Sequence, residues 1–316
     1  MVNGSQVRHL YVNGTEIFLG PAPSEFDFVL GANDLNMRLA ITESTSGAVS
    51  VDWGDGSSPS GISGGLATHT YASPGSYTVR ISCADGETWL PASSEGRFDF
   101  DSTTRLISIR GGSGMQWFSA GLLAAGIAFD NQTELKSVEI NSDYTGDISR
   151  TVFWGCTSLR YVRLPSGITN VSGSLNSISS SQYLTSFGEV GTGKSIELDG
   201  SATTLLPFFR NMTQLTDVTI PSAITTIAAQ AFFGCTGITS LVIPENVDTI
   251  LRNAFASCSN LASLTVLATT PPTVANATTI TGLPAGIPIY VPAGSVDAYK
   301  AAPSWSNRAA YIQAIS

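Results

Sequence analysis

The string Gly188-Glu189-Val190-Gly191-Thr192-Gly193-Lys194-Ser195 fits the phosphate-binding pattern G-x-x-x-x-G-K-[ST] letter for letter. In such a loop, backbone N–H groups surround a phosphate, the lysine reaches its outer oxygens and the hydroxyl holds magnesium. Residues 184–187 ahead of it read as a strand, as the pattern requires. The sequel does not fit: Ile196-Glu197-Leu198-Asp199-Gly200 reads as strand and turn, where the chemistry needs a helix N-terminus facing the phosphates. A glycine-rich turn with a solvated Lys194 is therefore expected, without a nucleotide. His69, beside Tyr71, reads as a packing residue. Asp52 and Asp55 offer two carboxylates where calcium takes about six to eight oxygens. The cysteines Cys83, Cys156, Cys235 and Cys258 include no C-x-x-C pair, and zinc spacing is absent. They read as reduced and mostly buried. No nucleophile, base and acid fall into a triad, so no catalytic residue, metal or cofactor is expected and the chain reads as a non-enzyme.

Elements must hold whatever surface remains, and composition bounds them. The 316 residues are 42% hydrophobic and 12% charged, enough apolar material for two modest cores. Gly 31 and Pro 15 point to many turns rather than long helices. The formal net charge of −9, with lysine only at 136, 194 and 300, leaves no basic face for phosphates, so nucleic acid is not an expected partner. No apolar run approaches the roughly 20 residues of a membrane-spanning helix. Residues 1–20 lack a charged start followed by an apolar block and do not read as a signal peptide.

Residues 7–19 read as a hairpin closed by Asn13-Gly14, because both residues tolerate positive φ. Alternating runs follow at 26–30, 37–42, 49–53, 77–83 and 98–100, spaced by turns as in a sandwich. Among them stand Val51-Asp52-Trp53-Gly54-Asp55-Gly56, then Thr68-His69-Thr70-Tyr71, then Pro74-Gly75-Ser76-Tyr77-Thr78-Val79. Physically, Trp53 buries its ring at a strand end and Asp55 braces a turn that Gly54 and Gly56 permit. The three strings in this order resemble the PKD family of immunoglobulin-like modules over about residues 22–90. That resemblance implies a β-sandwich serving as a spacer or contact surface.

From about residue 105 the chain repeats. Rungs at Leu215-Thr-Asp-Val218-Thr-Ile220-Pro221, Ile238-Thr-Ser-Leu241-Val-Ile243-Pro244 and Leu261-Ala-Ser-Leu264-Thr-Val266 begin 23 residues apart. Looser copies begin at Leu135, Leu159 and Leu184, with Leu106 a further candidate. Between rungs, Ala231-Phe232-Phe233-Gly234-Cys235 matches Ala254-Phe255-Ala256-Ser257-Cys258 and Val152-Phe153-Trp154-Gly155-Cys156. A period in the low twenties with L-x-x-L-x-L marks a solenoid whose rungs bury a face only by stacking. The pattern A-F-x-x-C-x-x-L-x-x-L-x-I-P resembles the BspA-like class of leucine-rich repeats over roughly 105–316. Ile289-Tyr290-Val291-Pro292-Ala293-Gly294-Ser295, with Ala298-Tyr299-Lys300 and Trp305, resembles the cap that ends such arrays. Cys156, Cys235 and Cys258 share one repeat position and are expected to stack as buried thiols.

The expected architecture is mainly β: an N-terminal docking hairpin (1–20), a PKD-like sandwich (21–104), a leucine-rich-repeat solenoid (105–286) and a C-terminal cap (287–316). Trp117, Phe118, Trp154, Tyr161, Tyr183, Phe208 and Phe209 are candidates for an exposed contact surface. Trp154 and Phe209 fall near core positions of the repeat, whereas Trp117 and Tyr183 lie in irregular stretches and are the ligand-contact candidates. The module plan points to a virion protein of a bacteriophage (a fibre, decoration or receptor-binding component) that meets other virion subunits or a host-surface protein or glycan, as a homo-oligomer without membrane insertion. The alternative is an exported bacterial adhesin of the BspA-like type at the cell surface.

Overall fold

The computed structural model describes residues 9–12, 15–18, 24–30, 36–44, 49–57, 60–62, 65–83, 89–91, 105–110, 133–140, 146–149, 153, 155–172 and 181–316. The chain divides into two compact units, Met1–Ile127 and Ala128–Ser316.

In the first unit, His9–Val12 pairs antiparallel with Thr15–Phe18, and the Val12–Thr15 pair closes the hairpin over residues 13 and 14. That register is the one a two-residue Asn-Gly turn sets. Arg105–Arg110, Ser24–Leu30, Gly75–Ser82, Val49–Asp52 and Ser60–Ile62 lie side by side in that order, every pair antiparallel. Gly65–Thr70, Asn36–Ser44 and Trp89–Pro91 form a 3-stranded antiparallel sheet. Side chains alternate across a strand, so Phe26 and Phe28, Val49 and Val51, and Val79 and Ile81 share the buried face of the larger sheet. Two antiparallel sheets around these residues are the immunoglobulin-like arrangement read from the sequence. Leu106, a candidate first rung, instead belongs to a strand that pairs antiparallel with Ser24–Leu30. The run at 98–100 lies outside the described residues.

The second unit is parallel throughout its rungs. Ser137–Glu139, Tyr161–Leu164, Ile196–Leu198, Ser186–Glu189 and Asp217–Val218 are neighbours in that order. Ser240–Ile243, Ser263–Val266, Ile289–Val291 and Ile312–Ala314 form the next parallel sheet. A further parallel sheet stacks Thr204–Leu205, Thr226–Ile227, Thr249–Ile250 and Thr273–Val274. Leu241 pairs with Leu264 and Ile243 with Val266, one period on, so equal residues meet at equal depth. Inside, the rings of Phe209, Phe232 and Phe255 stack with centroids 5.4 and 6.2 Å apart. Each ring fully buried is worth roughly 1.5–3 kcal/mol of apolar transfer, which no rung could gain alone.

The inter-rung turn repeats in atomic detail. Cys156 N–H donates to the Phe153 carbonyl, Cys235 N–H to Phe232 and Cys258 N–H to Phe255. Met212 N–H does the same to Phe209, so Met212 occupies the cysteine position of a rung the cysteine pattern does not reveal. The thiols of Cys235 and Cys258 donate to the carbonyls of Phe209 and Phe232, at 2.8 and 3.0 Å. All four cysteines are buried, and none forms a disulfide among the described residues.

At the C-terminal end the helix Val296–Ala301 and the 3-10 turn Trp305–Tyr311 close the stack. Their anchors are polar tips on buried rings: Tyr299 Oη donates to the Ala268 carbonyl at 2.8 Å and Trp305 Nε1 to the Pro272 carbonyl at 2.9 Å. Arg308 donates to the carbonyls of Leu283 and Pro284. Among the described residues no helix is long and apolar enough to cross a membrane.

Candidate functional site

Because inward positions along each rung are taken by Leu, Ile and Val, the alternate positions face outward and carry what chemistry the solenoid has. On the sheet from Ser137–Glu139 to Asp217–Val218 those positions bring charges into register. Glu139 pairs with Arg163, and Arg163 pairs with Glu197 on the following strand. Arg163 Nη1 lies 3.9 Å from Glu139 Oε2, both partly exposed, so their attraction is screened and weak.

The phosphate-loop string is resolved here. Ser186–Glu189 and Ile196–Leu198 are parallel neighbours, and residues 190–195 bridge them without a helix. Gly191 and Gly193 adopt φ of 86° and 73°. Their N–H groups do converge on an anion, as the pattern promises, but the anion is the chain's own Glu197. Gly191 donates to Oε2 at 3.1 Å and Gly193 to Oε1 at 2.9 Å, while Tyr161 Oη donates to Oε2 at 2.9 Å. Lys194 pairs with Asp217 across the sheet rather than projecting alone into solvent. Ser195 Oγ donates to the Ser186 carbonyl at 3.0 Å. Burial, and then the Glu197 carboxylate, hold the Tyr161 hydroxyl well above the usual tyrosine range, so it stays a donor.

Tyr183, one of the two contact candidates, is 41% exposed. The Arg160 guanidinium sits over its ring, 4.4 Å from the centroid. Arg160 follows Leu159 and Tyr183 precedes Leu184, so two different repeat positions meet here. Such a cation–π contact is worth about 0.5–1 kcal/mol at an exposed position. Trp117, the other candidate, lies outside the described residues, as do Phe118 and Trp154. Phe208 is corrected: it is buried at 1% exposure against Phe209 and cannot meet a ligand, while Phe209, placed near a core position of the repeat, is buried at 0%. Tyr161 is spent on Glu197. Arg160 and Glu197 carry no signal in the sequence: the repeat register sets Arg160 level with Thr185 rather than Tyr183, and nothing local links Tyr161 to Glu197.

The charged turn of the sandwich is a second cluster. His69 stacks on Trp53 at 5.0 Å and meets Tyr71 edge-on at 4.6 Å. Its Nε2 lies 2.7 Å from Asp55 Oδ2, and Ser57 N–H donates to Asp55 Oδ1 at 3.0 Å. Asp52 accepts the Gly54 N–H at 3.0 Å, so each acid braces its own turn. Gly54 has φ of 77°, and a Cβ there would stand 2.2 Å from the Thr78 carbonyl oxygen, so no other residue fits. Tyr71 Oη donates to the Trp53 carbonyl at 2.9 Å, locking the turn to the core. The histidine packs, as read from the sequence, and adds a hydrogen-bond partner for Asp55.

No curated protein matches the chain. Among solved structures it is similar to a leucine rich cell surface protein from Faecalibacterium prausnitzii A2-165, with 21% identity, TM-score 0.32 and coverage of 57% of this chain. It spans 50% of the length of that protein. It is also similar to a leucine-rich repeat protein from Bacteroides ovatus ATCC 8483, with 14% identity, TM-score 0.28, and coverage of 62% of this chain and 68% of that one. Family models match at residues 29–95, as a PKD domain, and at 125–189 and 186–271, as BspA type leucine rich repeat in 6 copies. The chain thus joins a PKD domain to a run of BspA-type leucine-rich repeats.

Proposed function

We propose that this is a non-enzymatic, adhesin-like contact protein whose solenoid surface around Arg160 and Tyr183, at the entrance to its strands, engages a protein or glycan. The observation that carries the reading is the Arg160–Tyr183 pair, an exposed aromatic under a guanidinium in the turns that lead into the strands Tyr161–Leu164 and Ser186–Glu189. Aromatic and arginine side chains dominate binding energy at protein surfaces. The setting we propose is the surface of a bacteriophage particle, as a fibre, decoration or receptor-binding component that meets other virion subunits and a host-surface protein or glycan. The hairpin His9–Val12 and Thr15–Phe18 supports it: among the described residues these strands pair only with each other. A lone hairpin is marginal in water, and docking on a neighbouring subunit would complete it. The BspA-type repeats support the second reading, a bacterial cell-surface adhesin.

Quantitative mass spectrometry of purified phage particles and of cell-surface fractions separates the two settings. Recovery in particles supports the virion component; recovery on cell surfaces alone selects the adhesin. For the contact surface, binding of the full chain to intact bacterial cells is measured before and after Tyr183→Ala and Arg160→Ala. Loss of a hot-spot pair lowers affinity by at least about tenfold. Unchanged binding in both variants rules out this face.

A further inference from the structure

Most cations of the early rungs are spent on the chain's own acids. Arg163 faces Glu139, and Lys194 pairs with Asp217. Two cations are not. Lys136 and Arg160 are both exposed, and among the described residues neither side chain has a hydrogen-bond or ion-pair partner. The fold sets them side by side. The N–H groups of Arg160 and Tyr161 both donate to the Lys136 carbonyl, at 2.8 and 3.1 Å, and Ser137 pairs with Tyr161. Lys136 and Arg160 therefore each stand just ahead of a strand, on neighbours whose backbones lie about 4.8 Å apart. Tyr183 lies under the Arg160 guanidinium and is itself exposed. The nearest acid in sequence, Glu134, is half-buried two residues ahead of Lys136 and pairs with neither cation, so positive charge remains in excess.

We propose that Lys136, Arg160 and Tyr183 form a subsite for an acidic glycan, its carboxylate held by the two cations and its sugar ring set beside the tyrosine. The inference rests on the contact-surface reading above and names the ligand class. Charge decides the location: a chain of −9 repels an anion over most of its surface, so an acidic ligand settles where cations are unspent. The guanidinium fork matches a planar carboxylate and the ammonium adds a point charge. Backbone chemistry decides against an acidic peptide. An extended peptide joins a sheet through main-chain hydrogen bonds. Here the N–H groups of Arg160 and Tyr161 already donate to Lys136, that of Tyr183 to Ser181 Oγ and that of Thr185 to Tyr183. Recognition is left to side chains, which suits a ligand of carboxylate, hydroxyls and a flat ring face. Two cations are too few for nucleic acid, whose affinity comes from neutralising many phosphates.

Titration calorimetry of the full chain with trigalacturonate, with its methyl ester and with triglutamate tests this. Trigalacturonate should bind with Kd of about 1 mM or below, and the uncharged ester and the peptide at least about tenfold more weakly. Lys136→Gln and Arg160→Gln should each weaken trigalacturonate binding about tenfold, with unchanged circular dichroism. Lys300→Gln removes the same charge from the C-terminal helix Val296–Ala301 and should bind as the wild type does. Affinity should fall as salt shortens the Debye length, from about 10 Å at 0.1 M to about 3 Å at 1 M. The proposal is overturned by a wild type that does not bind trigalacturonate, by an ester that binds equally, or by affinity that Lys136→Gln leaves unchanged or Lys300→Gln lowers as much. Triglutamate binding as tightly would make the partner an acidic peptide instead. Cell binding lost in Tyr183→Ala and Arg160→Ala, without any trigalacturonate binding, removes the ligand class and leaves the contact surface standing. Cell binding unchanged in both removes the contact surface itself.

Discussion

The Asp55 carboxylate accepts hydrogen bonds from Ser57 and from His69, and these hold its carboxyl well below the usual carboxylate range. A depressed folded-state value means that the contact stabilises the turn above the ordinary value near 3.8 and loses its effect as pH falls below it. Asp55→Asn should therefore lower the melting temperature at neutral pH, and its melting profile should be flatter than the wild type between about pH 4 and pH 2. Parallel acid-side slopes in the two proteins would show that Asp55 does not carry the dependence. The cysteines give an opposite sign. Burial pushes the Cys258 thiol up to about 11 and raises Cys235 further, so both are protonated at neutral pH. A maleimide at pH 7 should leave them unlabelled in the native protein and label them in denaturant; rapid native labelling would mean the rungs open. The buried thiols were legible in the sequence because they sit at a repeat-consensus position. The Asp55–His69 pair was not, since residues 14 apart meet only once the strands pair.

The inter-rung turn places Gly155, Asn211, Gly234 and Ser257 at one position, with φ of 73°, 62°, 72° and 62°. A left-handed conformation costs an L-residue about 1 kcal/mol relative to glycine. Ser257 is exposed, so removing its side chain sacrifices no packing. Ser257→Gly should raise the solenoid's melting temperature by about 2–4 °C, read by calorimetry; a lower value would mean the serine makes a contact that outweighs its strain. The loop of residues 190–195 behaves differently, because it is ordered by Glu197, whose side chain is nearly buried. Glu197→Gln turns an acceptor of three donors into a group with one acceptor oxygen, and should cost about 1.5–3 kcal/mol. Denaturant melts check this, and a change under about 0.5 kcal/mol would refute the loop's dependence on that carboxylate. These rungs were the least legible in the sequence. Ser186–Glu189 and Ile196–Leu198 fit two strands into one stretch and reverse their spatial order, which a period search has no means of seeing. The later rungs were readable because equal residues recur at equal depth, and Met212 hid only by replacing cysteine.

At the scale of the whole molecule, a solenoid couples each rung only to its neighbours, so the stability of its end depends on what covers the last one. The covering groups here are Tyr299 and Trp305, both fully buried and packed edge-on at 5.1 Å. Trp305 also ties its indole N–H to Pro272, two rungs back along the chain from the strand Ile312–Ala314. Removing the ring leaves a cavity and an unpaired carbonyl, together costing about 3–5 kcal/mol. In a globular core that loss would be shared by every element. In a stack of rungs it should stay local: Trp305→Ala should accelerate hydrogen exchange in Ser263–Val266, Ile289–Val291 and Ile312–Ala314, and less so in Ser137–Glu139 and Tyr161–Leu164. The sandwich strands Ser24–Leu30 and Gly75–Ser82, in the other compact unit, should exchange as in the wild type. Exchange mass spectrometry on the full chain resolves these segments. A graded response that fades toward the early rungs supports nearest-neighbour coupling, whereas uniform acceleration across Ala128–Ser316 would mean that the solenoid unfolds as a single cooperative block.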